Sequence, residues 1–135
     1  MSEQVRRLEA TERTLTKYRD KSFDWKANAT CLHLARFHLR NMGHKPPPLP
    51  RVKSAIGARR ALIANGWDDV DDMLDTLLPR IPYARAMLGD LGVAQGDEGF
   101  GSIVICGGAK WFGWHETGGG IKPLIISELK GAWRV

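Results

Sequence analysis

The first half of the chain carries the apolar spacing of helices. Positions 5, 8, 11 or 12 and 15 step by three and four residues, with Val5, Leu8 and Leu15 as apolar members, and the pattern reaches Tyr18 without Gly or Pro. Asp20-Lys21-Ser22 breaks it. A second apolar run, Leu32, Leu34, Ala35, Phe37, Leu39 and Met42, predicts a helix from Asn28 or Thr30 to Met42. Either residue suits an N-cap, and Gly43 is a stop. Pro46-Pro47-Pro48-Leu49-Pro50 cannot be helix or central strand, and reads as a stiff spacer. Ser54 to Asn65 predicts a third helix ended by Asn65-Gly66, and Trp67 to Asp75 begins a fourth. Acids at its start suit the helix dipole and lack the spacing of a calcium loop.

From about residue 83 the period shortens. Leu91 to Ala94 and Ile103 to Cys106 read as strands, Gly107-Gly108 as a hairpin turn, and Lys110 to His115 as the return strand. Ile121 to Ile126 is a further strand, placed at an edge by Pro123. Ser127-Glu128-Leu129 is expected to start a last turn before Trp133. The expectation is one α+β domain over 1–135, with a helical half (about 1–82) packed on a small antiparallel β-meander (about 83–135).

Composition adds three constraints. At 135 residues, 43% hydrophobic and 26% charged, the chain has the make-up of an ordinary soluble globule. No apolar run approaches the roughly 20 residues of a membrane span. Residues 1–60 hold 14 Lys and Arg against 5 acids, a balance of +9, and residues 61–135 hold 6 against 10, a balance of −4. The basic charges are dispersed along amphipathic helices, so a solvated face or an acidic partner protein is favoured over nucleic acid. No phosphate-loop signature and no zinc-type Cys/His spacing occurs, so neither cofactor nor metal is expected. Cys31 and Cys106 are expected to be unpaired.

Cys31 is the main chemical candidate. It opens the second helix, where the dipole favours a thiolate. The order of a helix-head cysteine followed by a small antiparallel sheet resembles that of the NlpC-type, papain-like cell-wall peptidases. Phe23-Asp24-Trp25 before Cys31, Gly89-Asp90-Leu91 and the hairpin from Ser102 to His115 carry the resemblance. Over nearly its full length the chain is also similar to a family of small phage and prophage tail proteins related to those peptidases. That similarity adds the N-terminal helix, Gly43-His44-Lys45-Pro46-Pro47-Pro48, Gly57-Ala58-Arg59-Arg60 and the closing Ala132-Trp133-Arg134-Val135.

The resemblance implies an NlpC-like fold and a place in the tail tip or baseplate of a phage or phage-like particle, after synthesis in a bacterial cytoplasm. The implied partners are the tail hub, other tail-tip proteins and peptidoglycan. It also puts the catalytic base at Gly101, with Ser102 beside it, and a third polar group at Gly113. None of these residues can act as an imidazole does. Two readings follow. In one, the base is lost and the domain is structural. In the other, His115 serves as base for Cys31, supported by Asp90 or Glu116, in a cysteine peptidase or amidase that cuts stem peptides. A third, independent of the resemblance, makes Cys31 a small buried hydrophobe. Phe112, Trp114 and Trp133 are interface candidates, because large apolar groups fall on both faces of the return strand.

Overall fold

Each helix begins where a short polar side chain can satisfy an otherwise unpaired backbone N–H. The computed structural model describes residues 2–49, 51–96, 101–115, 118–126 and 129–135. Helix α1 (Glu3–Tyr18) starts at Ser2, whose hydroxyl accepts from the Val5 amide. Helix α2 (Cys31–Asn41) is capped by Thr30 and α3 (Ala55–Ala64) by Ser54. Helix α4 (Val70–Leu77) is capped by Asp69, so the acids at 71 and 72 do lie in its first turn.

Six short strands form one antiparallel sheet among the described residues: β1 (Arg80–Ile81), β2 (Leu91–Ala94), β3 (Ser102–Cys106), β4 (Trp111–Gly113), β5 (Lys122–Leu124) and β6 (Gly131–Trp133). Their order is β1-β6-β2-β3-β4-β5. The chain is therefore α+β, but the sheet is not a meander. Residues 131–133 return from the last turn to lie between β1 and β2, pairing Trp133 with both Leu91 and Arg80. Arg80–Ile81, expected to close the helical half, is an edge strand because β6 supplies its partner. Pro123 sits in β5 on the opposite edge, where its missing N–H costs no ladder bond. The return strand stops at Gly113, two residues before His115.

The two faces of the sheet differ. Leu91, Val93, Ile103, Ile105 and Trp133 join Leu34, Leu39, Leu62 and Leu74 from the helices in one core. Trp133 is fully buried there, its indole N–H on Asp75 and its ring under Arg80, so it is a core anchor and not an interface residue. The other face needs no neighbouring chain at its centre. The Trp111 ring lies over Gly92 beside Leu129, where any Cβ on residue 92 would come within 2.9 Å of the indole.

A buried carboxylate ties the ends of the chain to this sheet. Asp90, fully buried at the head of β2, receives four donors. Arg7 Nη2 (2.5 Å) and the Val135 amide (3.0 Å) reach Oδ1, and Arg134 Nε and the Met87 amide (both 2.8 Å) reach Oδ2. Arg7 also donates to the carbonyls of Leu88 and Val135. Next to it, His38 Nε2 lies 2.7 Å from the Gly89 carbonyl. A carbonyl only accepts, so Nε2 carries the proton and Nδ1 accepts from the Thr14 hydroxyl at 2.8 Å. Burial pushes the His38 pKa down to about 4, so the ring is neutral near pH 7.

Removing one member of a buried ion pair strands the other, which costs about 3–5 kcal/mol. Asp90→Ala is accordingly expected to lower the urea-unfolding free energy by that amount. Glu3→Ala, which breaks an exposed pair with Arg6, is expected to leave the unfolding free energy nearly unchanged. Equal effects from the two variants would contradict the role given to Asp90.

Candidate functional site

Cys31 owes its position to the loop before it. Asp24 and Ala29 exchange backbone hydrogen bonds of 2.9 and 3.0 Å, Asp24 Oδ1 accepts from the Lys26 amide, and Asn28 takes a left-handed φ of 58°. This tight turn delivers Thr30 as a fully buried N-cap and Cys31 as the first helical residue. The thiol then sits against β3 at the backbone of Ile103. The expected helix-head cysteine is present, but its chemistry is reversed. Burial, with Cys31 only 4% exposed, pushes the thiol up to about 11. Backbone N–H groups of Ile103, Cys31 and Leu32 act the other way, and the negative charge of Asp69 adds a small upward push. A helix N-terminus is worth about 0.3–1 kcal/mol, less than a tenfold change in acidity, and desolvation outweighs it.

No histidine is among the groups that act on the Cys31 thiol. His33 Nδ1 lies 2.7 Å from the Thr30 hydroxyl, and burial together with Lys17 and Arg36 lowers its pKa. His38 is committed to Gly89 and Thr14. His115 is exposed beyond the end of β4, whose Trp111 and Gly113 face away from the helices. Asp90 belongs to the Arg7 and Arg134 cluster. It faces Cys106 across the β2–β3 ladder, three residues along β3 from Ile103, or about 10 Å at strand rise. Glu116 lies outside the described residues.

Gly101 is closed by its neighbours. Gly101 immediately precedes β3 and, two residues from Ile103, lies on the same core-facing side. A Cβ on Gly101 would overlap Val93 Cγ1 outright and lie 3.3 Å from Val70 Cγ2, both on fully buried residues. Its amide donates to Asp69 Oδ1 at 2.8 Å, and the same oxygen accepts from Val70 N. Gly113 is also crowded, since a Cβ there would meet Val104 Cγ1 at 2.9 Å on the face away from Cys31. Ser102 is half-buried and pairs with Ala94 in the ladder. Phe112 and Trp114 pack against the domain's own core, Trp114 edge-on to Tyr18 at 5.6 Å and donating to the Lys21 carbonyl.

The chain belongs to the DUF6950 family. That family, a domain of unknown function, matches residues 5–135 and so includes every residue discussed above except the start of α1. No curated protein and no solved structure matches the chain.

One residue of this DUF6950 domain was not singled out from its sequence. Asp69 joins the α4 N-terminus, the Gly101 amide and Lys130 Nζ (3.2 Å) at one carboxylate. Burial opposes its ionisation, but these donors prevail and hold its pKa below the usual carboxylate value. Its N-cap position was readable. Its bond to Gly101, 32 residues away, was not. Among the described residues no three His, Cys, Asp or Glu side chains converge as metal ligands, and no helix is long and apolar enough to cross a membrane.

Overpacking a filled core site costs about 1–3 kcal/mol. Gly101→Ala is expected to destabilise the domain by that amount in thermal or urea unfolding. The loss should shrink in a Val93→Ala background, where the overlapping methyl is gone. A neutral or stabilising Gly101→Ala would show that space for a base remains.

Proposed function

We propose that this domain is a structural component of the tail tip or baseplate of a phage or phage-like particle, a catalytically degenerate NlpC-like domain that packs on the tail hub and neighbouring tip proteins. The observation that carries the reading is the closure at Cys31 and Gly101. A cysteine peptidase needs a thiolate and a base within hydrogen-bond reach of it. Here the thiol is buried and held protonated. The position assigned to the base by the resemblance is a glycine whose side-chain space belongs to Val93 and Val70. A nucleophile without its base retains little of the concerted chemistry, because such residues act as a unit. What supports an assembly role is the combination of a peptidase-like order of elements with a site filled by core packing. The placement in a tail rests on the resemblance of Phe23-Asp24-Trp25, Gly89-Asp90-Leu91 and Ala132-Trp133-Arg134-Val135 to the tail-protein family.

Two measurements test the reading. Purified peptidoglycan incubated with the wild-type chain should release no stem-peptide fragments above the level seen with Cys31→Ser. Release by wild type that Cys31→Ser abolishes would establish an active peptidase or amidase instead. Particles induced from the strain that carries the gene should contain the chain at the tail tip by immunogold labelling. Its absence from tailed particles would remove the assembly role.

A further inference from the structure

Residues 25–67 contain eight Lys and Arg and no Asp or Glu. The fold concentrates part of this charge along one line. Helices α1 and α2 pack side by side, and Arg13, Lys17 and Lys21 from the first segment meet His33, Arg36 and Arg40 from the second. Lys17 Nζ stands 4.0 Å from the centre of the Phe37 ring, and Lys21 Nζ stands 5.5 Å from that of Tyr18. Arg13 reaches the Asn41 carbonyl and Arg36 that of Pro47, so backbone oxygens and ring faces fix the cations in place.

The cations also feel one another. The Lys17 pKa is lowered by partial burial and then by the charges of Lys21 and Arg40. That of His33 is lowered by burial and then by Lys17 and Arg36. Among the described residues the ion pairs engage Arg6, Arg7, Arg80, Lys130 and Arg134, and none engages Lys17, Lys21, Arg36 or Arg40. Glu9, Glu12 and Asp20, the acids nearest in sequence, form no ion pair with this row among the described residues. A surface of mutually repelling cations gains free energy when a partner brings the missing negative charge.

We propose that the seam between α1 and α2 is a docking surface for an acidic protein segment, which pairs with Lys17, Lys21, Arg36 and Arg40. The aromatic rings beside the seam argue against single-stranded nucleic acid. Tyr18, Phe37, Trp114 and Phe23 pack edge to face with one another at 5.5–6.0 Å, and Lys17 and Lys21 stand over the Phe37 and Tyr18 rings, so the aromatics are engaged with each other and with the cations rather than laid out as a row for stacking bases. A lipid surface is disfavoured for a different reason. Of the exposed large apolar side chains, Ile56, Ile63, Tyr83, Met87 and Ile125 lie in α3 and later segments, Val5 and Leu8 lie on α1 before Arg13, and the Phe23 ring next to the seam is packed against Trp25 and Trp114, which leaves the seam little to insert. This inference rests on charge and geometry alone, and stands whether or not the tail role does.

Fluorescence anisotropy of the full chain with labelled poly-L-glutamate tests it, alongside duplex DNA and phosphatidylglycerol vesicles as competing probes. Binding to polyglutamate should weaken steeply with salt, since surface charges are screened within about 8 Å at physiological ionic strength. Lys17→Glu with Arg40→Glu should weaken it about tenfold. Lys17→Arg with Arg40→Lys should preserve it. Arg51→Glu with Arg60→Glu, which changes net charge equally on exposed positions elsewhere, should have less than about a twofold effect. Absence of binding at low salt, an equal loss in the Arg51 and Arg60 variant, or tighter binding to DNA or vesicles would each overturn the proposal.

Discussion

The Asp90 carboxylate is the constraint on which the rest of the arrangement depends. One buried anion receives Arg7 from α1, Arg134 and the Val135 amide from the segment after β6, and the Met87 amide from the turn before β2. The Asp90 backbone adds two bonds, to Met87 and to Cys106 of β3. Segments more than eighty residues apart are thereby held at one end of one short strand. A sheet whose strands run two to five residues has few ladder bonds of its own, so this electrostatic knot carries an unusual share of the long-range order. The neighbouring chain of Gly89, His38, Thr14 and Asn41 extends it into the α1/α2 pair through neutral hydrogen bonds.

That framework fixes the fate of Cys31. Helix α2 is locked in its last turn by His38 onto Gly89, and its first turn is pressed against β3 at Ile103. The two contacts leave the residue only 4% exposed, and it becomes one more member of the core with Leu34, Ile103 and Val70. A helix N-terminus lowers a thiol pKa only while water or a counter-charge can help stabilise the anion. With both excluded, the cysteine keeps its proton.

Much of this was legible in the sequence because it is local. Ser2, Thr30, Ser54 and Asp69 are caps whose preference is written in their own side chains, and the four helices fall near where periodicity put them, with α4 starting at Val70 and not at Trp67. Pro123 marked an edge because of its missing donor. What was hidden is what sequence distance hides. Residues 131–133 are few, begin with Gly and are flanked by Lys130 and Arg134, so nothing local reveals a strand that inserts between β1 and β2. Trp133 reads as an anchor for a partner until that insertion buries it. Arg7 looks like one more surface cation on an amphipathic helix until Asp90, 83 residues on, claims it. The residue types at Cys31, Gly101 and Gly113 were readable. The Val93, Val70 and Val104 methyl groups that occupy the space beside the two glycines were not.

The thiolate absorbance of Cys31, followed through a pH titration in a Cys106→Ser background, probes this sealed site most directly. The titration should show no thiolate through neutral pH and rise only toward about 11, as burial demands. A midpoint at or below the ordinary thiol value of about 8.5 would mean that Cys31 is open to solvent or to a cationic partner, and that the site is a working nucleophile after all.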